Sequence, residues 1–195
     1  MSLVRADTAG LIFDCDGTLV DSLPLYREGW IAALEDAIEQ SVPPEWFHGH
    51  GGMSEHMVLD IVEARLGRSV NRHGIISQAR DSMLRRLHVL REITVVADIA
   101  RQYHGRLPMA VASNGSRQIV TACLRHLGLE RLFDAIITID DVDNPKPAPD
   151  MFLLAAGRLA LPPASCLVFE DSREGMLAAT RAGMAHVDVN TLLAG

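Results

Sequence analysis

The chain has 195 residues, 48% of them hydrophobic and 22% charged, a composition that supports one full core with room for a smaller insert. The net charge of −7 argues against a duplex nucleic-acid partner, because no basic stripe is there to displace counterions. Cys15, Cys123 and Cys166 are an odd number without CxxC spacing, which argues against a disulfide framework or a structural zinc site and fits a reducing, cytoplasmic setting.

The first apolar run is "LIF" at 11–13. It continues into "DCDGTLVDS", so Asp14 and Asp16 follow directly on a buried strand. Residues i and i+2 of an extended segment face one side, so the two carboxylates converge while Cys15 points away as a packing residue. Gly17 lets the chain turn. A plain Asp-Gly turn also explains this stretch.

Residues 22–93 hold no convincing strand. Three helix faces are expected there: Trp30, Ile31, Leu34 and Ile38; Met57, Ile61 and Val62; Met83, Leu87 and Leu90. "SVPPEW" and "HGHGG" punctuate them. So long a stretch exceeds an ordinary β–α connection and reads as a helical cap domain. His48, His50 and His56 cluster at its glycine-rich turn, as a zinc site or as a solvated or substrate-contacting loop. Residues 46–56 are candidates for substrate selection.

Four more strands follow at "MAVAS" 109–113, "AIITI" 135–139, "CLVFE" 166–170 and "HVDV" 186–189. Helical patterns separate them. Ile119, Cys123 and Leu127 recur on one face, 150–160 carries an apolar stripe, and Met176, Ala179 and Ala182 share another face. The expected fold class is α/β, a Rossmann-like doubly wound parallel sheet made by 1–21 and 94–195, with 22–93 inserted as the cap. No apolar run approaches the ~18–20 residues of a membrane span. "MSLVRADTAG" lacks the apolar region of a signal peptide, so none is expected.

The strand ends carry the chemistry, since open parallel sheets bind ligands beyond the carboxyl ends of their strands. Ser113 and Asn114 end the second strand; Ser113 or Ser116 caps the next helix, and a helix start also suits a phosphate. Glu170 and Asp171 end the fourth strand. Asp171 and Glu174 have capping-box spacing, with Ser172 as a rival cap, yet two carboxylates also suit a hard divalent cation such as Mg²⁺. Lys146, in "NPKPAP" after the third strand, is the only lysine against 17 arginines. Four carboxylates at one sheet end repel one another. A divalent cation and a compact ammonium on a flexible stem keep them ionised, where an arginine fork is too bulky.

These stretches in this order resemble the haloacid dehalogenase superfamily of phosphohydrolases: DxDGTL at 14–19, Ser113, Lys146 before "PAPDMF", and "EDS" at 170–172. The helical insert resembles the cap of the branch containing β-phosphoglucomutase and small sugar phosphatases, and "HGRLPMAVAS" and "CLVFED" are most similar to bacterial fructose-1-phosphate phosphatases. The resemblance implies Asp14 as nucleophile and Asp16 as acid and base. It implies Mg²⁺ on Asp14, the main-chain carbonyl of Asp16, and Asp171, with Glu170 supporting. It implies phosphate contacts from Gly17, Thr18, Ser113, Asn114 and Lys146. The implied partner is a small phosphorylated metabolite, and a monomer is assumed. Mutase-type relatives carry an arginine where Glu55 stands and a lysine in a later cap helix, whereas 22–93 holds no lysine. Arg80 is the nearest substitute, and Tyr26 stands where many sugar-phosphate relatives have histidine. Phosphatase is therefore preferred to mutase. A receiver-like phospho-aspartate module and a non-catalytic sugar-phosphate binder remain as readings of other classes.

Overall fold

The structure is a computed structural model that describes residues 3–47 and 52–194. In chain order, β1 (Gly10–Phe13) leads into α1 (Leu23–Ile38), α2 (Glu55–Leu66) and α3 (Arg72–Arg85). Then come α4 (Thr94–Tyr103), β2 (Met109–Ser113), α5 (Arg117–His126), β3 (Ala135–Thr138), α6 (Asp150–Arg158), β4 (Cys166–Glu170), α7 (Arg173–Arg181), β5 (Ala185–Asp188) and α8 (Val189–Leu193). The five strands form one parallel sheet in the order β3-β2-β1-β4-β5. All five expected strands are present, and the α/β fold is as read from the sequence.

The sheet explains its own sequence pattern. Leu11, Phe13, Met109, Val111, Leu167 and Phe169 face one side, where α4 and α5 bury Val96, Ala97, Ile119 and Leu124. Ile12, Ala110, Ala112 and Val168 face the other, against Met151, Phe152 and Ala155 of α6 and Ala178 and Ala179 of α7. With helices on both faces, every residue of β1, β2 and β4 is buried, so these strands read as unbroken apolar runs, whereas the edge strand β5 is partly exposed. The register pairs Phe13 with Val111 and with Phe169, which brings the carboxyl ends of the three central strands level.

The helices between β1 and α4 have a core of their own, built on Trp30, Leu34, Ile38, Leu59, Val62 and Ile75. α1 lies close on α3 because Gly29 has no side chain; a Cβ there would stand 3.2 Å from the Ala79 carbonyl oxygen. The chain leaves and returns side by side: Asp21 N–H donates to Arg91 O and Ile93 N–H to Leu19 O, both at 2.9 Å. No helix among the described residues is long and apolar enough to cross a membrane.

Three sequence expectations need correction. The sequence reading names no helix at 94–103, where α4 buries Val96, Ala97 and Ala100. The buried side of α2 is Leu59 and Val62, which join the core of the insert, with Met57 and Ile61 only half-buried. The stripe Met83, Leu87, Leu90 is not one helix face: α3 stops at Arg85, a 3₁₀ turn follows at Leu87–Val89, and Met83 and Leu90 pack into the sheet core instead.

Phe13 and Phe169 stack with ring centroids 4.8 Å apart at the centre of this core. Phe169→Ala is expected to cost about 3–5 kcal/mol of unfolding free energy, measured by urea denaturation.

Candidate active site

Lys146 lies in the loop between β3 and α6, and its side chain is 1% exposed. Its ammonium donates to Asp14 Oδ1 at 2.7 Å, Glu170 Oε1 at 2.7 Å and the Ala112 carbonyl oxygen at 2.8 Å. It also sits 4.8 Å from the Phe152 ring centroid. Three donors meet three acceptors, from the ends of β1, β2 and β4. The expectation that the lone lysine joins the strand-end acids is met in the geometry.

Each acid is held by a different set of neighbours. Asp14 follows β1, and its N–H donates to Phe169 O at 3.0 Å. The second oxygen of Glu170 accepts from the Ser172 N–H at 2.8 Å and from the Ser172 hydroxyl at 2.9 Å. Asp171 accepts from the Thr18 hydroxyl at 3.1 Å. Asp16 turns to two hydroxyls instead: Ser22 at 2.5 Å on one oxygen and Ser113 at 3.2 Å on the other. Asp14, Glu170 and Asp171 each offer one oxygen within 4.8 Å of the others, whereas the Asp16 carboxylate is outside this group.

Burial sets the electrostatics. It works against the Lys146 ammonium, but Asp14 and Glu170 outweigh it and hold the group above its ordinary pKa. Asp14 is pushed well up by burial; Lys146 pulls it down, while Glu170, Asp171 and Asp16 push it further up. Burial and then Glu170 raise Asp171 to about 7. Asp16 is raised by burial, with the Ser22 and Ser113 hydrogen bonds working against the rise. One ammonium does not balance this many buried carboxylates.

Several expected phosphate contacts are already committed. The Gly17 N–H donates to Val20 O at 2.8 Å, and the Thr18 hydroxyl serves Asp171. Both residues support the acid cluster. All three Lys146 donors are taken. The Asn114 amide holds the main chain of Lys146, donating to its carbonyl at 3.1 Å and accepting its N–H at 2.9 Å, and also donates to Gly52 O at 2.7 Å. The Ser113 hydroxyl accepts from the Gly115 N–H at 3.0 Å while donating to Asp16.

The capping expectations also shift. Ser172, not Asp171, caps α7 by accepting from the Gly175 N–H. Neither Ser113 nor Ser116 caps α5; the first helical N–H, of Arg117, goes to Asp140 Oδ2 at 2.8 Å. Sequence reasoning missed Ser22, Phe152 and Gly175, and read Ser172 as a rival helix cap without its bond to Glu170. Gly175 has a sharp reason: a Cβ there would lie 1.8 Å from Glu170 Oε1. Gly17 has another, since its φ is +83° and a Cβ would meet Asp171 Oδ2 at 2.3 Å. The signals were present as "VDS" beside the first acid pair and the small residues after "FED", but nothing in the sequence aims them.

Asp14 and Asp16 open onto a cavity of about 440 Å³ that runs to the inserted helices. Its far wall includes Tyr26, Trp30, Phe47, Met53 and Glu55. Within the candidate selection stretch, 48–51 lie outside the described residues, and with them His48 and His50. His56 is exposed on α2 and joins no metal-type cluster among the described residues.

The family model of haloacid dehalogenase-like hydrolases matches residues 8–183. The chain belongs to that family. It is 36% identical over 184 residues to the fructose-1-phosphate phosphatase YqaB of Escherichia coli, covering 94% of this chain and 97% of the relative. It is 28% identical over 188 residues to a phosphorylated carbohydrates phosphatase of Thermotoga maritima, covering 91% and 82%. A hydrolase from Pseudomonas syringae superposes with a TM-score of 0.82 at 28% identity, over 92% of this chain and 83% of that one. This hydrolase belongs with enzymes of phosphoric monoesters, in line with its family and with relatives named as phosphatases.

Gly175→Ala is expected to displace Glu170 and with it Lys146. A loss of about 1–3 kcal/mol in stability should accompany a fall in activity, read by denaturation and phosphate release on the same preparation.

Proposed function

We propose that this hydrolase releases inorganic phosphate from a small sugar phosphate, fructose 1-phosphate or a close analogue, through an aspartyl-phosphate on Asp14. The observation that carries the reading is the pair of carboxylates facing one cavity in different company: Asp14 against the Lys146 ammonium, Asp16 against two hydroxyls. The 36% identical relative named as a fructose-1-phosphate phosphatase supports the choice of substrate. Residues 22–93 then act as the cap over the cavity.

Lys146 fixes Oδ1 of Asp14 and leaves Oδ2 to attack phosphorus. The Asp14 O–P bond forms as the bond to the leaving oxygen breaks, and Asp16 gives that oxygen its proton. Asp16 then takes a proton from the water that attacks the aspartyl-phosphate, which restores Asp14 and releases phosphate. Burial keeps Asp16 more basic than a free aspartate, which suits a group that must carry a proton. The main-chain N–H of Asn114 holds a phosphoryl oxygen, and Ser113 and Lys146 each reach one by exchanging a bond, Ser113 the one it donates to Asp16 and Lys146 one of its three.

The acid cluster fits Mg²⁺: its donors are all hard oxygens, they converge within 4.8 Å, and Gly17 leaves Asp171 the room to turn inward. Asp14, Asp171 and the Asp16 carbonyl would hold the ion, with Glu170 behind them. When bound, it supplies positive charge beside the transferring phosphoryl oxygens. A mutase reading needs free cations in the cap, and Arg80 is instead spent on Glu55. A receiver-like module needs no cavity closed by an insert.

Asp14→Asn should abolish phosphate release from fructose 1-phosphate and from p-nitrophenyl phosphate, with the melting temperature kept. Interconversion of hexose phosphates without phosphate release by the unaltered protein would refute the hydrolytic reading.

The raised acids also set a pH dependence. A carboxyl whose folded pKa stands near 7 against an ordinary 3.8 contributes stability that is full below about pH 4 and lost as pH rises through about 7. In chelator, the melting temperature should therefore fall from pH 5 to pH 8. The gain on adding Mg²⁺ should be larger at pH 8 than at pH 5, as read by thermal scans.

A further inference from the structure

The only lysine of the chain sits beside an aromatic face. Phe152 is fully buried near the start of α6, and its ring centroid lies 4.8 Å from the Lys146 ammonium. The ring belongs to the apolar cluster on one side of the sheet, with Ile12, Ala112, Met151 and Ala155. The main chain of Lys146 is held by the Asn114 amide. The stretch between them is tied as well. Ala148 N–H donates to Pro145 O at 2.9 Å, the Asn144 amide to Asp150 Oδ1 at 2.8 Å, and the Arg181 guanidinium to Pro147 O at 2.8 Å. Ring and ammonium therefore meet on a braced main chain.

An apolar core position also accepts aliphatic side chains of similar volume. What these lack is the negative face of a ring, which attracts a cation within about 6 Å and does so more strongly away from water. Lys146 is 1% exposed, so water does not replace a hydrogen bond that its ammonium gives up. Contact with a phosphoryl oxygen requires that step, since Asp14, Glu170 and the Ala112 carbonyl take all three N–H groups. A hydrogen bond depends on where its N–H points. The pull of the ring depends on where the charge sits, and it survives rotation of the ammonium.

We propose that Phe152 is a positioning residue: its ring face holds the Lys146 ammonium at the strand ends while that group trades one hydrogen bond for a phosphoryl oxygen. The proposal rests on the phosphatase reading and adds what steadies its cation.

The test weakens the charge distribution of the ring and keeps its shape. Mono-, di- and trifluorinated phenylalanine replace Phe152 alone in the full chain, each fluorine withdrawing negative charge from the face. Isotope-labelled lysine gives a single set of magnetic-resonance signals, because the chain has one lysine. The Cε protons of Lys146 should be shifted upfield by the ring current, both in the free protein and with saturating inorganic phosphate and Mg²⁺. Exchange of the ammonium protons with water should quicken stepwise along the series, by about ten-fold with three fluorines. Over the same series kcat should fall by about ten-fold, equally for fructose 1-phosphate and p-nitrophenyl phosphate, because Lys146 serves the phosphoryl group that both share. The melting temperature should stay level. Absence of the upfield shift, its loss when phosphate binds, or kcat that stays level while exchange quickens overturns the proposal. So does a fall in kcat that tracks melting temperature instead of fluorine number. Quickened exchange in a protein that turns over neither ester supports the hold on the ammonium and refutes the phosphatase reading; turnover with exchange and kcat both level does the reverse.

Discussion

A positive charge buried to 1% exposure is tolerable only where its partners are fixed, and Lys146 has three: Asp14, Glu170 and the Ala112 carbonyl. The geometry of the site follows from that need. Glu170 is anchored from behind by Ser172, and the α7 start comes close enough only because Gly175 has no side chain. The main chain of Lys146 is clamped by Asn114. Arginine would bring five donors in a rigid fork to a place with three convergent acceptors, and some would be buried without partners. A chain that uses arginine at every other basic position therefore keeps one lysine here.

The same clamp ties the sheet to the insert. The Asn114 amide that holds Lys146 also donates to Gly52 O, and a Cβ on Gly52 would lie 2.5 Å from the Ser172 hydroxyl. Two supports of the charge cluster thus touch one glycine of the inserted segment. The chemistry is fixed at rigid strand ends while the cavity wall is set by helices with a separate apolar core. Strand ends can keep their residues while the wall changes, which is how one phosphoryl-transfer centre comes to serve different leaving groups.

The sheet was legible because burial on both faces leaves a simple mark in β1, β2 and β4, an unbroken apolar run, and the less regular runs at β3 and β5 are strands as well. Lys146 was legible through rarity. What stayed hidden depends on direction more than on residue type. Ser22, Ser172 and Phe152 look ordinary until the fold aims them at Asp16, Glu170 and Lys146. Gly175 acts by lacking a side chain, which no local pattern records. The buried face of α2 was misread because a helix in a three-helix insert packs along a narrow line, so half-buried Met57 and Ile61 count as apolar without being inside. Thr18 and Gly17 were taken for phosphate contacts, although their nearest obligations are to Asp171 and Val20.

Two aspartates two residues apart need different protonation behaviour to serve as nucleophile and as acid. Their surroundings differ in kind. Asp16 has hydroxyl donors, and burial is the chief cause of its raised pKa, with Ser22, Ser113 and then Lys146 working against the rise. Asp14 is raised more, but part of its rise is removable, because Glu170 and Asp171 add to what burial does. Positive charge placed between Asp14 and Asp171 cancels that part and ionises Asp14. It acts less on Asp16, whose carboxylate lies outside the group of converging oxygens. Divergent environments of this sort assign acid and nucleophile to otherwise identical side chains. For the roles proposed for Asp14 and Asp16, the difference in surroundings comes from Ser22 and Ser113 on one side and Lys146 on the other.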